Sequence, residues 1–203
     1  MKLIGSYTSP FVRKISIMLL EKEVTFEFVN ESPLKNDNTV IHYNPLGEVP
    51  ALMISQNEIW FDSSVIAARI EQLEKSPPFL PSTPADALSV RQLEALADGI
   101  CDAAIIIVCE QKRNADQQSE LVLTHQREKI QRGLDALEQA AADRKWLNGK
   151  TINLADIATG CMAGYLNLRH VAPNWCVDRP ALVKLVEKLF QRDSFAQTTP
   201  PPD

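Results

Sequence analysis

The chain has 203 residues, of which 45% are apolar and 23% are charged, a composition typical of a folded protein with one large domain or two small ones. Its net charge of -5 and isoelectric point near 5.3 argue against a nucleic-acid partner, because no basic stripe stands out in the sequence. The longest strongly apolar run, residues 103–109, is too short to cross a bilayer, so no membrane association is expected.

The first half of the chain alternates strand and helix patterns. Residues 2–7 are predicted to form a strand, and a helix should run from Pro10 to about Lys22 with Ser9 as its N-cap. The pattern of that helix places four charged residues in solvent, namely Arg13, Lys14, Glu21 and Lys22. Further strands are predicted at 24–28, 49–54 and 58–61, with a helix at 63–74. The resulting order is βαβ followed by ββα.

The amino terminus and the cysteines indicate the compartment. Met1 and Lys2 lead directly into an apolar strand without the hydrophobic region of an export signal, which predicts a cytoplasmic protein. The four cysteines have neither metal-ligand nor C-x-x-C spacing, so we expect reduced thiols that are buried as small apolar side chains. The three histidines are scattered, and no metal site is predicted.

A proline-rich linker divides the chain. Residues 75–84 contain four prolines, which excludes a helix interior or a central strand. We therefore predict a first domain over 1–76, a linker over 77–84 and an all-helical bundle over 85–203. In the bundle, helices are expected at 85–114, 119–142, from about 153 to 169 and at 180–190, followed by a Pro/Thr tail at 197–203.

Two patterns within the bundle predict buried faces and a helix start. The first long helix should bury Leu88, Leu93, Leu96, Ile100 and Ala104, and the second should bury Ile130, Leu134, Leu137 and Ala141. Asn153 and Asp156 resemble a capping box at the start of a buried helix, which assigns them a structural role.

The stretch from Asn44 to Leu52 and the Asp62-Ser63-Ser64 sequence are the candidate binding elements. Pro50 stands at the start of a strand, and a cis Val49–Pro50 bond would leave the Val49 N–H and C=O free to pair with a peptide-like ligand. Pro50 can equally serve only to shape the fold. Asp62 and the helix start behind it suit the amino and carboxylate groups of an amino acid.

These motifs together resemble the cytosolic glutathione S-transferase family over essentially the whole chain. The matching residues are Ser-Pro-Phe at 9–11, Asn-Pro-x-Gly-x-Val-Pro-x-Leu at 44–52, Asp-Ser at 62–63 and Asn-Leu-Ala-Asp at 153–156. The start of the chain is most similar to that of small bacterial members with a tau- or omega-like Ser-Pro-Phe. The resemblance implies an amino-terminal thioredoxin-like domain, a helical carboxyl-terminal domain and a homodimer.

The resemblance also implies roles for single residues. It makes Ser9 the catalytic residue, pairs Val49 with the cysteinyl backbone of glutathione, and assigns the γ-glutamyl group to Asp62 and Ser63. The implied reaction is activation of the glutathione thiol for attack on a small hydrophobic electrophile or a peroxide, with glutathione as co-substrate and no other cofactor.

Chemistry supports a role for Ser9, although a simple N-cap is the competing interpretation. A thiol of pKa about 8.5 is mostly protonated at neutral pH, and a hydrogen bond plus a helix N-terminus would lower that pKa. Tyr7 is the alternative hydroxyl. An acceptor pocket is expected near Tyr7, Phe11 and the helix that carries Ile106 and Glu110.

Glu48 departs from the family pattern, in which this position is often basic and meets the glycyl carboxylate. Lys35 or His42 in the polar segment could take that role instead. Two hypotheses follow: a glutathione transferase, favoured by Ser9, and a non-catalytic binding or regulatory protein that contacts a protein partner, favoured by Glu48.

Overall fold

A computed structural model of the chain describes residues 1–33, 39–73 and 75–201. The chain divides into two compact units: Met1–Phe79 with Gln191–Asp203, and Leu80–Phe190. This grouping differs from the division proposed from the sequence at the carboxyl end, because residues 191–203 belong to the first unit. No helix within the described ranges is long and apolar enough to span a membrane.

The first unit is built on a mixed four-stranded sheet, which confirms the thioredoxin-like βαβ-ββα order. Its elements are β1 (Lys2–Gly5), α1 (Pro10–Glu21), β2 (Glu27–Asn30), β3 (Ala51–Ser55), β4 (Glu58–Trp60) and α2 (Ser63–Glu71). The strand order is β2-β1-β3-β4, with β1 parallel to β2 and β3 antiparallel to both β1 and β4. A 3-10 turn at Thr39–His42 precedes the candidate binding motif.

The second strand begins later than its alternating pattern predicts. Val24 donates its N–H to the Leu19 carbonyl, 2.8 Å away, and therefore still belongs to the exit of α1. Glu23 adopts a left-handed φ of 52° in that exit. Only from Glu27 onward does the chain pair with β1, starting with Lys2 opposite Glu27. The alternation of apolar and polar residues alone could not show where the exit of α1 ends and the strand begins.

The prediction that the charged residues of α1 are solvated is wrong. Arg13, Lys14 and Lys22 are all buried, and only the Glu21 residue keeps partial exposure. The Lys22 ammonium donates to the Lys75 carbonyl at 2.8 Å and to the Pro77 carbonyl at 2.7 Å, and it pairs with Glu71 at 2.9 Å. A buried cation is tolerated when carbonyls and a carboxylate satisfy it in this way. The amphipathic pattern cannot reveal partners that come from distant segments.

The second unit is entirely helical in its regular structure. It contains α3 (Pro84–Gln111), a 3-10 turn at Ala115–Gln117, α4 (Glu120–Ala141), α5 (Leu154–Arg169) and α6 (Pro180–Phe190). The predicted inward line of α4, Ile130 to Ala141, is buried. Leu88 of α3, which the pattern placed inside, is 69% exposed, because the buried face near that end of α3 starts at Val90. Of the four cysteines, Cys101 and Cys161 are buried, whereas Cys109 and Cys176 are exposed.

Asn153 and Asp156 form a reciprocal capping box at the start of α5. The Asn153 side chain accepts from the N–H of Ala155 at 2.9 Å, and the Asp156 carboxylate accepts from the N–H of Asn153 at 2.9 Å. The other Asp156 oxygen accepts from the Leu147 N–H at 2.8 Å, and Asn153 donates to the Leu147 carbonyl. The box therefore also fixes the turn that precedes α5.

Burial raises the pKa of Asp156 to about 7, against the hydrogen bonds from Leu147 and Asn153 and the charge of Lys188, which lower it. A carboxyl whose pKa is higher in the folded than in the unfolded chain binds its proton more tightly when folded. Stability from this group therefore increases as the pH falls from about 7 toward the unfolded value near 3.8.

We expect Asp156→Asn to remove this pH dependence. Relative to the variant, the wild type should gain about 2 to 3 kcal/mol in free energy of unfolding between about pH 8 and pH 5. Urea denaturation of both proteins across this range measures the difference. Parallel profiles would mean that Asp156 stays ionised in the folded protein throughout.

Candidate functional site

Three segments of the first unit meet at one end of its sheet. β1 and β4 both run toward this end, and β3 starts there, because β3 is antiparallel to each of them. The loop with Ser9 follows β1, Val49 and Pro50 precede β3, and Asp62 follows β4. The order β1-β3-β4 across the sheet therefore sets the order Ser9, Val49, Asp62 along the edge. The topology thus brings the three candidate binding motifs together.

Ser9 is the N-cap of α1. Its backbone is extended, and its Oγ accepts from the Val12 N–H at 3.3 Å. The Ser9 carbonyl accepts from the Arg13 N–H at 3.0 Å, which closes the first turn of the helix. A Cβ added at Gly5 would lie 2.4 Å from the Val12 side chain, so glycine at the end of β1 permits the close approach of this first turn. The half-buried Ser9 hydroxyl is thus fixed at a helix N-terminus.

Asn44 organises the turn that precedes β3. Its Oδ1 accepts from the Leu46 N–H at 3.0 Å, and its carbonyl accepts from the Gly47 N–H at 2.8 Å. Its Nδ2 donates to the Glu48 carbonyl at 2.9 Å, and the residue is 2% exposed. Gly47 has a φ of 68°, which favours glycine. The sequence motif contains Asn44, but no role was predicted for its side chain. The signal for this turn is asparagine at the first position, proline at the second and glycine at the fourth.

Val49 presents its backbone at this edge. The Val49–Pro50 bond is cis, as are Phe61–Asp62 and Ser76–Pro77, and Pro50 is buried while Val49 is partly exposed. Within the described residues, neither the N–H nor the C=O of Val49 makes a hydrogen bond. These two groups are therefore available to pair with an extended ligand. If Pro50 served only to shape the fold, the Val49 N–H and C=O would not need to be available.

Asp62 caps α2 and carries a carboxylate at the site. Its Oδ1 accepts from the Ser64 N–H at 3.0 Å and from the Ser64 hydroxyl at 2.7 Å. Burial raises the pKa of Asp62, but the hydrogen bonds from Ser64 and Val65 and the charge of Lys14 together hold that pKa below its ordinary value. Asp62 is therefore ionised at neutral pH. Ser63, the first residue of α2, is buried.

The aromatic candidates lie near the amino end of α1. Tyr7 is 54% exposed and stacks on Phe28 of β2, with ring centroids 4.7 Å apart. Phe11, in the first turn of α1, is partly exposed. The Tyr7 ring therefore packs on a residue of β2, whereas the Ser9 hydroxyl is bonded to the first turn of α1.

The remaining candidates have different surroundings. Lys35 lies outside the described residues, and both His42 and Glu48 are exposed. Glu110 of the second unit is used internally, because its carboxylate accepts from the Ser119 N–H at 2.6 Å and pairs with Arg113 at 3.3 Å. In the part of the chain that the structure describes, no group of three or more His, Cys, Asp or Glu residues could hold a metal ion.

Comparison with family models identifies both units. Residues 3–78 match the amino-terminal domain of glutathione S-transferases, and residues 96–193 match their carboxyl-terminal domain. The predicted resemblance is therefore confirmed for most of the chain.

Individual relatives agree with these matches. An uncharacterised glutathione S-transferase-like protein of Escherichia coli K12, YibF, is 59% identical over 201 residues, which cover 99% of both chains. A crystal structure of a glutathione S-transferase from Methylobacterium radiotolerans with glutathione sulfonate has a TM-score of 0.95 at 37% identity, covering 100% of this chain and 95% of that one. Another, from Methylobacillus flagellatus with glutathione bound, has a TM-score of 0.94 at 35% identity, covering 98% and 99%.

The contact between Asn44 and Glu48 can be tested by an isosteric change. Asn44→Asp keeps the acceptor for Leu46 but replaces the donor to the Glu48 carbonyl by a repelling oxygen, so we expect a loss of about 1 to 2 kcal/mol in the free energy of unfolding. Urea denaturation measures it. Asn57→Asp, at an exposed position of the β3–β4 turn, is the matched control and should leave stability within about 0.5 kcal/mol. Equal stability of the two variants would contradict the role of Asn44.

Proposed function

The chain belongs to the glutathione S-transferase family, and from this premise we propose that it binds glutathione and activates its thiol for attack on a small electrophile or a peroxide. The observation that carries the proposal is the unbonded Val49 backbone between Ser9 and Asp62 at one edge of the sheet. The glutathione and glutathione sulfonate in the two bacterial relatives support the choice of ligand.

The spacing of the edge suits a tripeptide. Two strand spacings of about 4.8 Å separate β1 from β4, which gives about 10 Å between the Ser9 and Asp62 sides of the site. A cysteinyl residue paired with Val49 would stand about one strand spacing from each side. It could therefore direct its thiol toward Ser9 while the γ-glutamyl residue before it reaches Asp62.

Each end of the site offers a distinct chemistry. The ionised Asp62 would hold the ammonium of the γ-glutamyl group, and Ser63 at the α2 N-terminus would meet its carboxylate. Val49 would donate to and accept from the cysteinyl backbone in the manner of an added strand. The glycyl carboxylate would need a cationic partner, for which Lys35 is the candidate that the sequence offers.

Ser9 would stabilise the thiolate. A hydroxyl that donates to an anion contributes about 1.5 to 3 kcal/mol, equivalent to one to two units of thiol pKa, and the helix N-terminus adds about 0.3 to 1 kcal/mol. Together these interactions make thiolate a major species at neutral pH. The Ser9 Oγ can accept from the Val12 N–H and donate to sulfur at the same time. Tyr7 and Phe11 would then line the acceptor side as apolar surface.

Location and assembly belong to the same proposal. The four cysteines, all among the described residues, form no disulfide, which supports a reducing compartment such as the cytoplasm. A homodimer and a role in detoxification are what membership of the family leads us to propose.

A regulatory or binding protein without catalysis is the second candidate, and Glu48 favours it. Its carboxylate is exposed beside the site, and its carbonyl is held by Asn44. A negative charge there opposes an anionic ligand. Measured turnover with glutathione and a general electrophile separates the two candidates, because only the transferase accelerates conjugation.

Replacement of Ser9 tests the proposed catalysis. Ser9→Ala should lower turnover about tenfold or more while glutathione affinity, measured by calorimetry, changes little, because the hydrogen bond to sulfur strengthens in the anion. Ser119→Ala is the matched control, since Ser119 caps α4 through the Val122 N–H as Ser9 caps α1. Both variants should lose similar stability, and only the first should lose turnover. Equal turnover in the two would transfer the role to Tyr7 or exclude it.

The charge of Glu48 should weaken glutathione binding. Carboxylates about 5 Å apart repel by roughly 3 kcal/mol at an effective dielectric of 20, and by less where solvent and salt screen them. Glu48→Lys should therefore tighten the dissociation constant about five- to a hundredfold, with a smaller gain at high salt. Calorimetric titration at two ionic strengths measures this. Glu187→Lys, the same change at an exposed position of the second unit, is the control; equal affinities in both variants would mean that Glu48 points away from the ligand.

A further inference from the structure

The carboxyl-terminal segment of the chain packs against α1 in the first unit. After α6, a short helix α7 (Asp193–Gln197) forms, and residues within it and on either side of it contact α1 at two places. We call this set of contacts the C-terminal clasp; it consists of Arg13 and Glu21 on α1 and of Arg192, Ser194, Phe195 and Thr198 on the segment. The sequence patterns predicted a tail at 197–203 and no helix between 191 and 196.

One end of the clasp holds the carboxyl end of α1. Arg192 donates from Nε and Nη2 to the two Glu21 oxygens at 2.7 and 2.6 Å, and the Ser194 hydroxyl donates to the same carboxylate at 2.6 Å. Burial raises the pKa of Glu21, but the hydrogen bonds from Arg192 and Ser194 outweigh it and hold that pKa below its ordinary value. This end is twelve residues from Ser9, about 18 Å along a helix.

The other end holds the amino end of α1 through Arg13. Its Nη2 donates to the Phe195 carbonyl at 3.0 Å and its Nε donates to the Thr198 hydroxyl at 3.3 Å, while the guanidinium lies 5.5 Å from the centre of the Phe195 ring. Phe195 is 1% exposed and Arg13 7%. The Thr198 hydroxyl in turn donates to the Ser194 carbonyl at 2.8 Å. A planar guanidinium with two fixed acceptors is held in one orientation.

Arg13 is also part of the turn that Ser9 begins. Its N–H donates to the Ser9 carbonyl, and the neighbouring Val12 N–H donates to the Ser9 Oγ. Helix ends open more readily than helix centres unless tertiary contacts hold them. Fixing the Arg13 side chain therefore restrains the turn whose Val12 N–H donates to the Ser9 hydroxyl.

We propose that Arg13 is a positioning residue for Ser9, and that residues 195–198 of the C-terminal clasp supply the fixed acceptors it needs. The effect of Arg13 on catalysis rests on the function proposed above. Its structural part concerns the electrostatic environment at position 9 and does not require glutathione.

A thiol introduced by Ser9→Cys reports that environment directly. Its ionisation is followed by the pH dependence of alkylation with iodoacetamide, quantified by mass spectrometry of the peptide that contains position 9, so the native cysteines do not interfere. In this background Arg13→Lys keeps the positive charge but cannot reach both acceptors. Arg192→Lys is the matched control, because it makes the same substitution in the same clasp at the far end of α1.

We expect Arg13→Lys to raise the midpoint of thiol ionisation by about half a unit and to slow alkylation at neutral pH about two- to fivefold, and Arg192→Lys to leave both unchanged. Equal shifts in the two lysine variants, or none in either, would overturn the proposal and leave Arg13 a packing residue.

Kinetic and binding measurements on the protein with Ser9 intact distinguish this proposal from the proposed function. With Ser9 intact, Arg13→Lys should lower kcat for conjugation with little change in glutathione affinity. Absence of glutathione binding by the wild type would refute the proposed function while the thiol reporter still decides the role of Arg13.

Discussion

The antiparallel pairing of β1 with β3 is the constraint on which the site depends. It sets the carboxyl end of β1 beside the amino end of β3, so the N-terminus of α1 and the unbonded Val49 before β3 lie at the same end of the sheet. Pairing of β3 with β4 then adds the start of α2. Because each segment meets the edge at an element boundary, backbone groups and capping side chains are exposed there without breaking a helix or a strand.

Two capping residues also belong to the candidate site. Ser9 and Asp62 satisfy amides at the starts of α1 and α2, and in the proposed function the same side chains would contact the ligand. In the second unit, Asn153 and Asp156 cap α5 and also fix the preceding turn, which is a structural role. Capping chemistry alone therefore does not distinguish a functional residue from a folding residue; the position of the helix start relative to the sheet edge does.

The buried cations of α1 also depend on their tertiary surroundings. Arg13 and Lys22 look like solvent-facing residues of an amphipathic helix, yet each is satisfied by carbonyls from segments more than fifty residues away in sequence. Lys14 is also buried, and its charge lowers the pKa of Asp62. Because these side chains are buried, replacing them would affect the packing of α1 and not only the surface of the protein.

The sequence by itself determined the order of elements, the helix caps and the binding motifs, because these depend on neighbouring residues: Ser9 before Pro10, the turn at 44–47, and Asn153 with Asp156. It also carried the family resemblance. Only the tertiary structure decided the start of β2, the exposure of Leu88, the burial of Arg13 and Lys22, and the return of residues 191–203 to the first unit. Each of those features depends on a partner that is distant in sequence, and periodicity within one element carries no information about such a partner.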